Sequence, residues 1–410
     1  MNLESTMNAP PVVQSTRSVM RWVVLGLFML VAGLSQALWL NFAPLISMIQ
    51  TKYGVGEGLA SSLLLVFPLV YVLLSVTAGQ LTDRKGYKYA VGVGAVVMAA
   101  FSCLRIFDSG NFWVLLLAQT GIAVGQPFAM NGISKLVADW FDGEQSAIAT
   151  GLGTMGMFAG MAFGMAATPP MIEALGYQGT MVAFTLGSIA IAAAWVMLVR
   201  TNPDAKPVAA SATPAPSLVS LLKNRQLMLI FMVAALGLGF FNGLTTWLEP
   251  ILAPNGFDVV KAGAIGGVLI VGGIIGAVVI PLLSDWAKRR KPFLIGSVVL
   301  SFAALVPVCT SRDETVVMAS AFAMGFFFLP AFALLLDMCA SIAGEEAAGG
   351  ATGLLMLFGN GGGVVVIIAM ALVKGDAPTF ERAVYLLYGV ISLAIVLALG
   401  APETMRREAR

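Results

Sequence analysis

Histidine is absent from all 410 residues, cysteine occurs three times, and charged side chains make up only 11% of the chain. Each shortage closes a class of function. Without histidine, the commonest proton shuttle and metal ligand is gone. Cys103, Cys309 and Cys339 form no CxxC pair and staple no small secreted domain, so they read as small apolar packing residues. The chain has no HExxH helix, no GxSxG elbow and no large polar domain, and with them go the usual hydrolase signatures. Neither an enzyme, nor a cofactor, nor a metal site is expected. The formal charge is only +2, and the basic clusters are better explained by membrane topology than by nucleic acid.

What the chain has is hydrocarbon. Hydrophobic residues make up 59% of it, too many for a set of soluble domains. Apolar runs of about 20 residues recur along the whole length, each long enough at 1.5 Å per residue to cross a hydrocarbon layer of about 30 Å. Twelve can be marked, from 22–48 through to 380–400. Backbone groups in lipid must be satisfied within the segment, so runs of this length read as helices; barrel strands would be half as long and alternating. The expected fold is all-α, a polytopic protein of 12 transmembrane helices whose first partner is the lipid bilayer.

Residues 1–21 read as a polar tail, because the apolar run that follows is too long for a signal peptide and has no evident cleavage site. With that tail inside, seventeen of the 23 Lys and Arg fall on inner segments, while the outer side receives Lys52, Arg105, Lys261, Arg312, Lys374 and Arg382. This positive-inside bias places both termini in the cytoplasm, as expected for a multi-pass protein of the cell (inner) membrane. Residues 200–225 hold the Pro/Ala/Ser-rich stretch TNPDAKPVAASATPAPS, which can neither span nor pack a core. It divides the chain into bundles at 22–199 and 226–400, with a second tail at 401–410. SLVSLLKNRQ, at the end of this linker, is either a short interfacial helix or simply the linker's end.

The halves echo one another. GQLTDRKGYK follows the second span and PLLSDWAKRRK follows the eighth, so Asp83 and Asp285 hold equivalent places, each trailed by basic residues such as Arg84, Lys88 and Arg289. The first stretch, with Gly79, Leu81, Asp83, Arg84, Gly86 and Lys88, resembles the G-x-L-x-D-R-x-G-R-R signature of the major facilitator superfamily, with Tyr87 where a basic residue is usual. The resemblance implies two pseudo-symmetric six-helix bundles that rock about a site near mid-membrane. It also implies a gating latch: Gly79 allows close helix contact and Asp83 accepts hydrogen bonds from the N-terminal end of the eleventh helix. Plain topology is the rival account of the basic residues. Glycines crowd spans five, eight and eleven, among them Gly156, Gly160, Gly164, Gly263, Gly267, Gly272, Gly276, Gly359, Gly362 and Gly363. In the superfamily these spans line the contact between the halves.

Polar residues deep in the spans are the candidates for a solute site, since an amide in hydrocarbon needs a partner or water. They are Gln36, Asn41, Gln119, Gln126, Asn242 beside Phe241, and Asn360. Five tryptophans (Trp22, Trp113, Trp140, Trp195 and Trp286) lie near span ends, where an interfacial belt explains them; Trp39 and Trp247 do not. Trp39 is about four residues, roughly 6 Å, past the middle of its span. No charged residue is expected at the centre of a span. Glu249 and Asp337 come nearest and are the candidates for a coupling ion, or else capping and latch groups. A neutral solute, or a cation held by aromatic faces, fits this pattern better than a strongly charged anion.

Trp39-Leu40-Asn41-Phe42, Gln119 and Gln126 followed by Ser134-Lys135 and Trp140-Phe141, and Thr352-Gly353-Leu354-Leu355 with Asn360 resemble, within the superfamily, the feline leukaemia virus subgroup C receptor-related branch. That branch implies choline or ethanolamine as solute, historically also haem, with Trp39 facing a small cationic amine. Haem is disfavoured here by the lack of histidine. Asn242 stands where an aromatic cage residue would align, so Phe241 or Trp247 would have to substitute. The expected site is therefore Trp39, Asn41, Gln126, Phe241, Asn242 and Asn360, in a transporter that acts as a monomer on a small organic molecule. Organic acids or siderophores are the alternative solutes.

Overall fold

The computed structural model describes residues 11–107, 110–142, 144–203, 218–344, 347–375, 377 and 379–405; among them the regular structure is helical throughout. The first half contains α1 (Pro11–Leu40), α2 (Ile46–Tyr53), α3 (Glu57–Lys85), α4 (Tyr87–Leu104), α5 (Phe112–Met130), α6 (Gly132–Trp140) and α7 (Glu144–Leu198). After the short α8 (Leu218–Lys223) come α9 (Arg225–Leu252), α10 (Val259–Ala287), α11 (Lys291–Thr310), α12 (Glu314–Ala343), α13 (Ala348–Lys374) and α14 (Glu381–Leu399). Most of the linker, residues 204–217, and the outer parts of both tails, 1–10 and 406–410, lie outside the described residues. The interfacial-helix option for SLVSLLKNRQ is realised as α8, and the Asn224 side chain then caps α9 by accepting from Gln226 and Leu227 N–H.

Eleven described helices are long and apolar enough to span, yet the chain crosses twelve times. The 55 residues of α7 would be about 80 Å long as one rod, more than twice a bilayer core. Gly176 breaks it, with φ 71° and ψ 166°, a conformation open to glycine and strained for other residues. The arms 144–175 and 177–198 are the fifth and sixth spans. The first span departs from its expected limits at both ends: it is already helical at Pro11, and it is interrupted after Leu40 before resuming as α2.

An even number of crossings puts the start of α1 and the end of α14 on one face, here the tail face; the opposite one is the far face. Helices α1–α7 and α9–α14 form the two bundles. Spans five and eight meet across the halves as α7 on α10, and span eleven, α13, packs on α3 of the first half, as expected, but most of their glycines face elsewhere. Gly156, Gly160 and Gly164 pack on Met29, Gly33 and Ala37 of α1, inside the first bundle, so closely that a Cβ on Gly160 would lie 2.5 Å from Gly33 Cα. Gly272 and Gly276 meet Phe322 and Phe326 of α12, and Gly359 and Gly362 meet Leu238 and Ala235 of α9, again within one bundle. Among the described glycines, the Gly263, Gly266 and Gly267 stretch of α10 is the one that meets the other half, against Ala162, Met165, Ala166 and Pro169 of α7. Small residues thus mainly bring backbones together inside each bundle.

Tryptophan placement follows the belt in part. Trp22, Trp113 and Trp286 are exposed. Trp195 is not: it is buried, with Nε1 donating to the Lys88 carbonyl at 3.0 Å, while Trp140 Nε1 donates to the Tyr87 hydroxyl. Both serve the tail-face end of the first bundle.

Candidate functional site

Asn41-Phe42-Ala43-Pro44 dictates the interruption in the first span. Pro44 brings no N–H for the Leu40 carbonyl and its ring would crowd that oxygen, so the α-helix stops and a 3₁₀ turn at Ala43–Leu45 leads into α2. Trp39, in the last turn of α1, is buried, stacks on Phe67 of α3 with ring centroids 6.1 Å apart, and donates from Nε1 to the Leu64 carbonyl at 3.2 Å. Asn41 is fully buried, and neither Oδ1 nor Nδ2 has a hydrogen-bond partner among the described residues. Leaving a whole amide unpaired costs roughly 1–3 kcal/mol per group, which a ligand group or an ordered water bonded to it would recover. Gln36 makes a single weak contact to Met130 Sδ at 3.6 Å, with Oε1 unpaired. Gln126 is only 5% exposed, and no hydrogen bond to it occurs among the described residues.

The second half places its candidates differently. Phe241 stacks on Phe328 of α12, 6.1 Å away and nearly parallel, and so belongs to the packing of its own bundle. Asn242 turns toward α13, where a Cβ on Gly363 would collide with its amide, and its Oδ1 is unpaired. Asn360 is half-buried and donates back to the Met356 carbonyl at 3.0 Å. No described hydrogen bond joins Trp39, Asn41 or Gln126 to Phe241, Asn242 or Asn360.

One set of residues does join the halves. Trp247-Leu248-Glu249 in α9 repeats Trp39-Leu40-Asn41 in α1, at the same stage of the first helix of each half. Glu249 is buried and accepts from Ser47 N–H at 3.2 Å and from Ser47 Oγ at 2.7 Å, capping the first turn of α2 from across the seam. Nearby, Lys374 at the end of α13 pairs with Glu57 at the start of α3. A polar cavity of about 310 Å³ is lined there by Glu57, Gly58, Trp247, Ala371, Lys374 and Gly375. These contacts lie on the far face, which is closed.

The tail face is not fastened in this way. Asp83 and Arg84 are exposed and bond to no described residue, and a Cβ on Gly79 would meet open space, so the close contact expected of Gly79 is not made. Gly86 has φ 81° and ends α3; Lys88 contributes its backbone carbonyl to Trp195. In the second half the basic cluster is engaged, but through Arg290 instead of Arg289, which is exposed. Lys288 takes a left-handed conformation with φ 52° that turns Arg290 inward. Arg290 then pairs with Asp285 at 2.7 Å and Asp337 at 2.8 Å and donates to Ser284 Oγ at 3.0 Å, while its backbone N–H is held by Glu403. Asp337 is thereby a member of a tail-face ion cluster.

Arg105 corrects the expectation of an outer-loop side chain: its backbone caps the far-face end of α4, but its side chain turns inward. It is 2% exposed, its guanidinium lies 5.1 Å from the centre of the Phe42 ring, and it donates from Nη2 to the Leu38 carbonyl at 3.3 Å and to Gln119 Oε1. Gln119 Nε2 donates to the same carbonyl at 3.0 Å. Arg105 Nε and Nη1 are buried and unpaired.

Similarity to known proteins fits this architecture. The sequence pattern of the Major Facilitator Superfamily matches residues 26–367. Solute carrier family 49 member A3 of Xenopus tropicalis is 26% identical over 354 residues, 80% of this chain and 73% of that one. The choline/ethanolamine transporter FLVCR1 of Felis catus is 24% identical over 415 residues, 94% of this chain and 74% of that one. A crystal structure of a bacterial homologue of the human lysosomal transporter Spinster, inward-facing and unoccupied, superposes with a TM-score of 0.69 at 14% identity, covering 93% of this chain and 95% of that one. Twelve crossings in two bundles, a seam at the first helix of each half and a match over most of the length lead to one conclusion: the chain belongs to the Major Facilitator Superfamily and is a membrane transporter, not an enzyme.

Proposed function

We propose that this transporter carries a small organic amine of choline-like chemistry by alternating access around the interrupted first span. The observation that carries the reading is Asn41: a fully buried amide with both polar atoms unpaired, two residues from a buried tryptophan. An indole face and an open amide are what a small cation carrying a hydroxyl or ammonium group needs, and Gln126 offers a second amide. FLVCR1 and its like, named as choline/ethanolamine transporters, support the same solute class. Trp39→Ala should reduce uptake of labelled choline into proteoliposomes at least about tenfold, the worth of one desolvated cation–π contact. Transport left intact removes Trp39 from the site. In this reading Phe241, Asn242 and Asn360 approach the solute only when the halves rearrange.

The proposal extends to the moving parts. The bundles 22–199 and 226–400 rock as units about the 200–225 linker, both chain ends face the cytoplasm of the cell membrane, and the protein works as a monomer. The far face is then the outside, and Gly79, Asp83, Arg84, Gly86 and Lys88, with Asp285 and Arg289 opposite, form a latch engaged when the tail face shuts. Asp83→Asn should slow turnover several-fold with solute affinity unchanged, checked by comparing uptake rates with equilibrium binding; equal turnover leaves only a topological role. Of the two coupling candidates Glu249 suits the task better, because it sits on the seam that opens and closes, whereas Asp337 is neutralised by Arg290. Arg105 favours a second reading, an organic acid or siderophore, since its guanidinium has two buried nitrogens, Nε and Nη1, unpaired among the described residues. A thermal-shift panel of amines against acids separates the two.

A further inference from the structure

We infer that Arg105 and Gln119 are positioning residues that hold the interruption of the first span, and with it Trp39 and Asn41, in the geometry the solute meets. The inference rests on reading Trp39 and Asn41 as solute contacts.

It starts from a single carbonyl. In a continuous helix the Leu38 oxygen would accept from Phe42 N–H, as the Ala37 oxygen does from Asn41 N–H at 2.9 Å. Among the described backbone bonds that next one is missing, because the chain has already turned toward Pro44. A backbone oxygen deprived of its donor in a hydrocarbon setting must find another or the interruption would close. Two arrive from neighbouring helices: Gln119 Nε2 from α5 and Arg105 Nη2 from the end of α4. Gln119 also accepts from Arg105, so one carbonyl and two side chains close a triangle.

The charge suits the place. No ion pair to Arg105 occurs among the described residues, and a buried guanidinium needs compensation. It receives this from the negative C-terminal end of α1 and from the face of Phe42, the first residues past the break. A planar fork can bond the carbonyl and the amide while lying on a ring; a lysine ammonium cannot do all three. The pinned carbonyl is one residue from Trp39 and three from Asn41, and its donors come from α4 and α5 whereas Trp39 turns to Leu64 and Phe67 of α3, so the pair acts through the backbone.

The test uses the full chain in lipid nanodiscs with Arg105→Met, Arg105→Lys and Gln119→Leu. Deuterium exchange of the segment 38–46 is expected to accelerate at least tenfold in Arg105→Met and in Gln119→Leu. The double variant should be no faster than either single one, while exchange in α10 and α12 stays as in the wild type. Arg105→Lys should recover only part of the protection. In proteoliposomes the same variants should raise the KM for labelled choline about tenfold or more with the maximal rate within twofold, a split that mere loss of folded protein does not produce. Unchanged exchange over 38–46 in both single variants overturns the inference, whatever uptake does. Absence of choline uptake by the wild-type protein overturns the amine reading instead and leaves the exchange result to decide the role of the pair.

Discussion

Gly160→Ala is expected to lower the stability of the folded protein by about 3 kcal/mol or more, and a leucine there to abolish folding. The reason is geometric. A methyl on residue 160 would point into the Gly33 backbone, with its Cα 2.5 Å away, and a Cβ on Gly33 would in turn lie 2.8 Å from the Gly156 oxygen. Overpacked cores usually relax by moving side chains, at a cost of roughly 1–3 kcal/mol. Here the neighbours are backbone, so α1 and the first arm of α7 would have to separate along their whole contact, loosening the helix that carries Trp39. Gly26→Ala and Gly187→Ala, where nothing lies within 4 Å, are the controls. Thermal unfolding of the full chain in one detergent, followed by size-exclusion chromatography, reads the difference. If Gly160→Ala melts with the controls, the two helices are not in backbone contact.

Glu249→Ala should open the far face. The carboxylate accepts two bonds from Ser47 on the other half and is buried where they meet. Hydrogen bonds to a charged group contribute about 1.5–3 kcal/mol each, and a mutation that removes them from only one of two conformations shifts the balance by the same amount. With both bonds lost from the closed form the shift is about 3–6 kcal/mol, so the ratio of open to closed far face should rise at least roughly 100-fold. Glu249→Gln keeps an acceptor without the charge and should shift it less. Lys374→Met, which strips Glu57 of its partner, should act in the same direction. Spin labels at Thr51 and Thr315, on opposite halves of that face, report the opening as a longer distance in a chain whose native cysteines have been replaced. An unaltered distance distribution in Glu249→Ala would mean that the seam is held without Glu249, by the Lys374–Glu57 pair and the packing of α7 on α10 and of α3 on α13.

The spans were legible because a bilayer leaves few choices: twelve apolar runs of sufficient length can only be helices, and even the Gly176 break follows from the length of α7. The direction in which a residue points was harder to read. Spacing alone reveals a row at Gly156, Gly160 and Gly164, but the opposite face of the same helix, with Ala162 and Ala166, is also small, and only packing decides which face meets α1 and which meets α10. Arg105 follows a span directly and so passes for a loop residue; its long stem instead carries the guanidinium inward to a carbonyl that exists as an acceptor only because Pro44, 61 positions earlier, breaks the helix. The basic run Lys288-Arg289-Arg290 offered no way to choose among its members until the left-handed turn at Lys288 was known. Intramembrane amides mark unpaired polar atoms at Gln36, Asn41 and Asn242, but Gln119 is bonded on both ends and Phe241 packs within its own bundle. One signal was in plain sight: Trp-Leu-Asn at 39–41 and Trp-Leu-Glu at 247–249, which points to Glu249 as a seam residue by internal comparison alone.

The turn at Gly176 has a mechanical corollary. A connection one residue long leaves no slack between the crossings it joins, so the arm that abuts α10 cannot tip without hauling the next crossing along with it. Push on Met165 or Pro169 is thus delivered to the whole first bundle as to a single stiff lever.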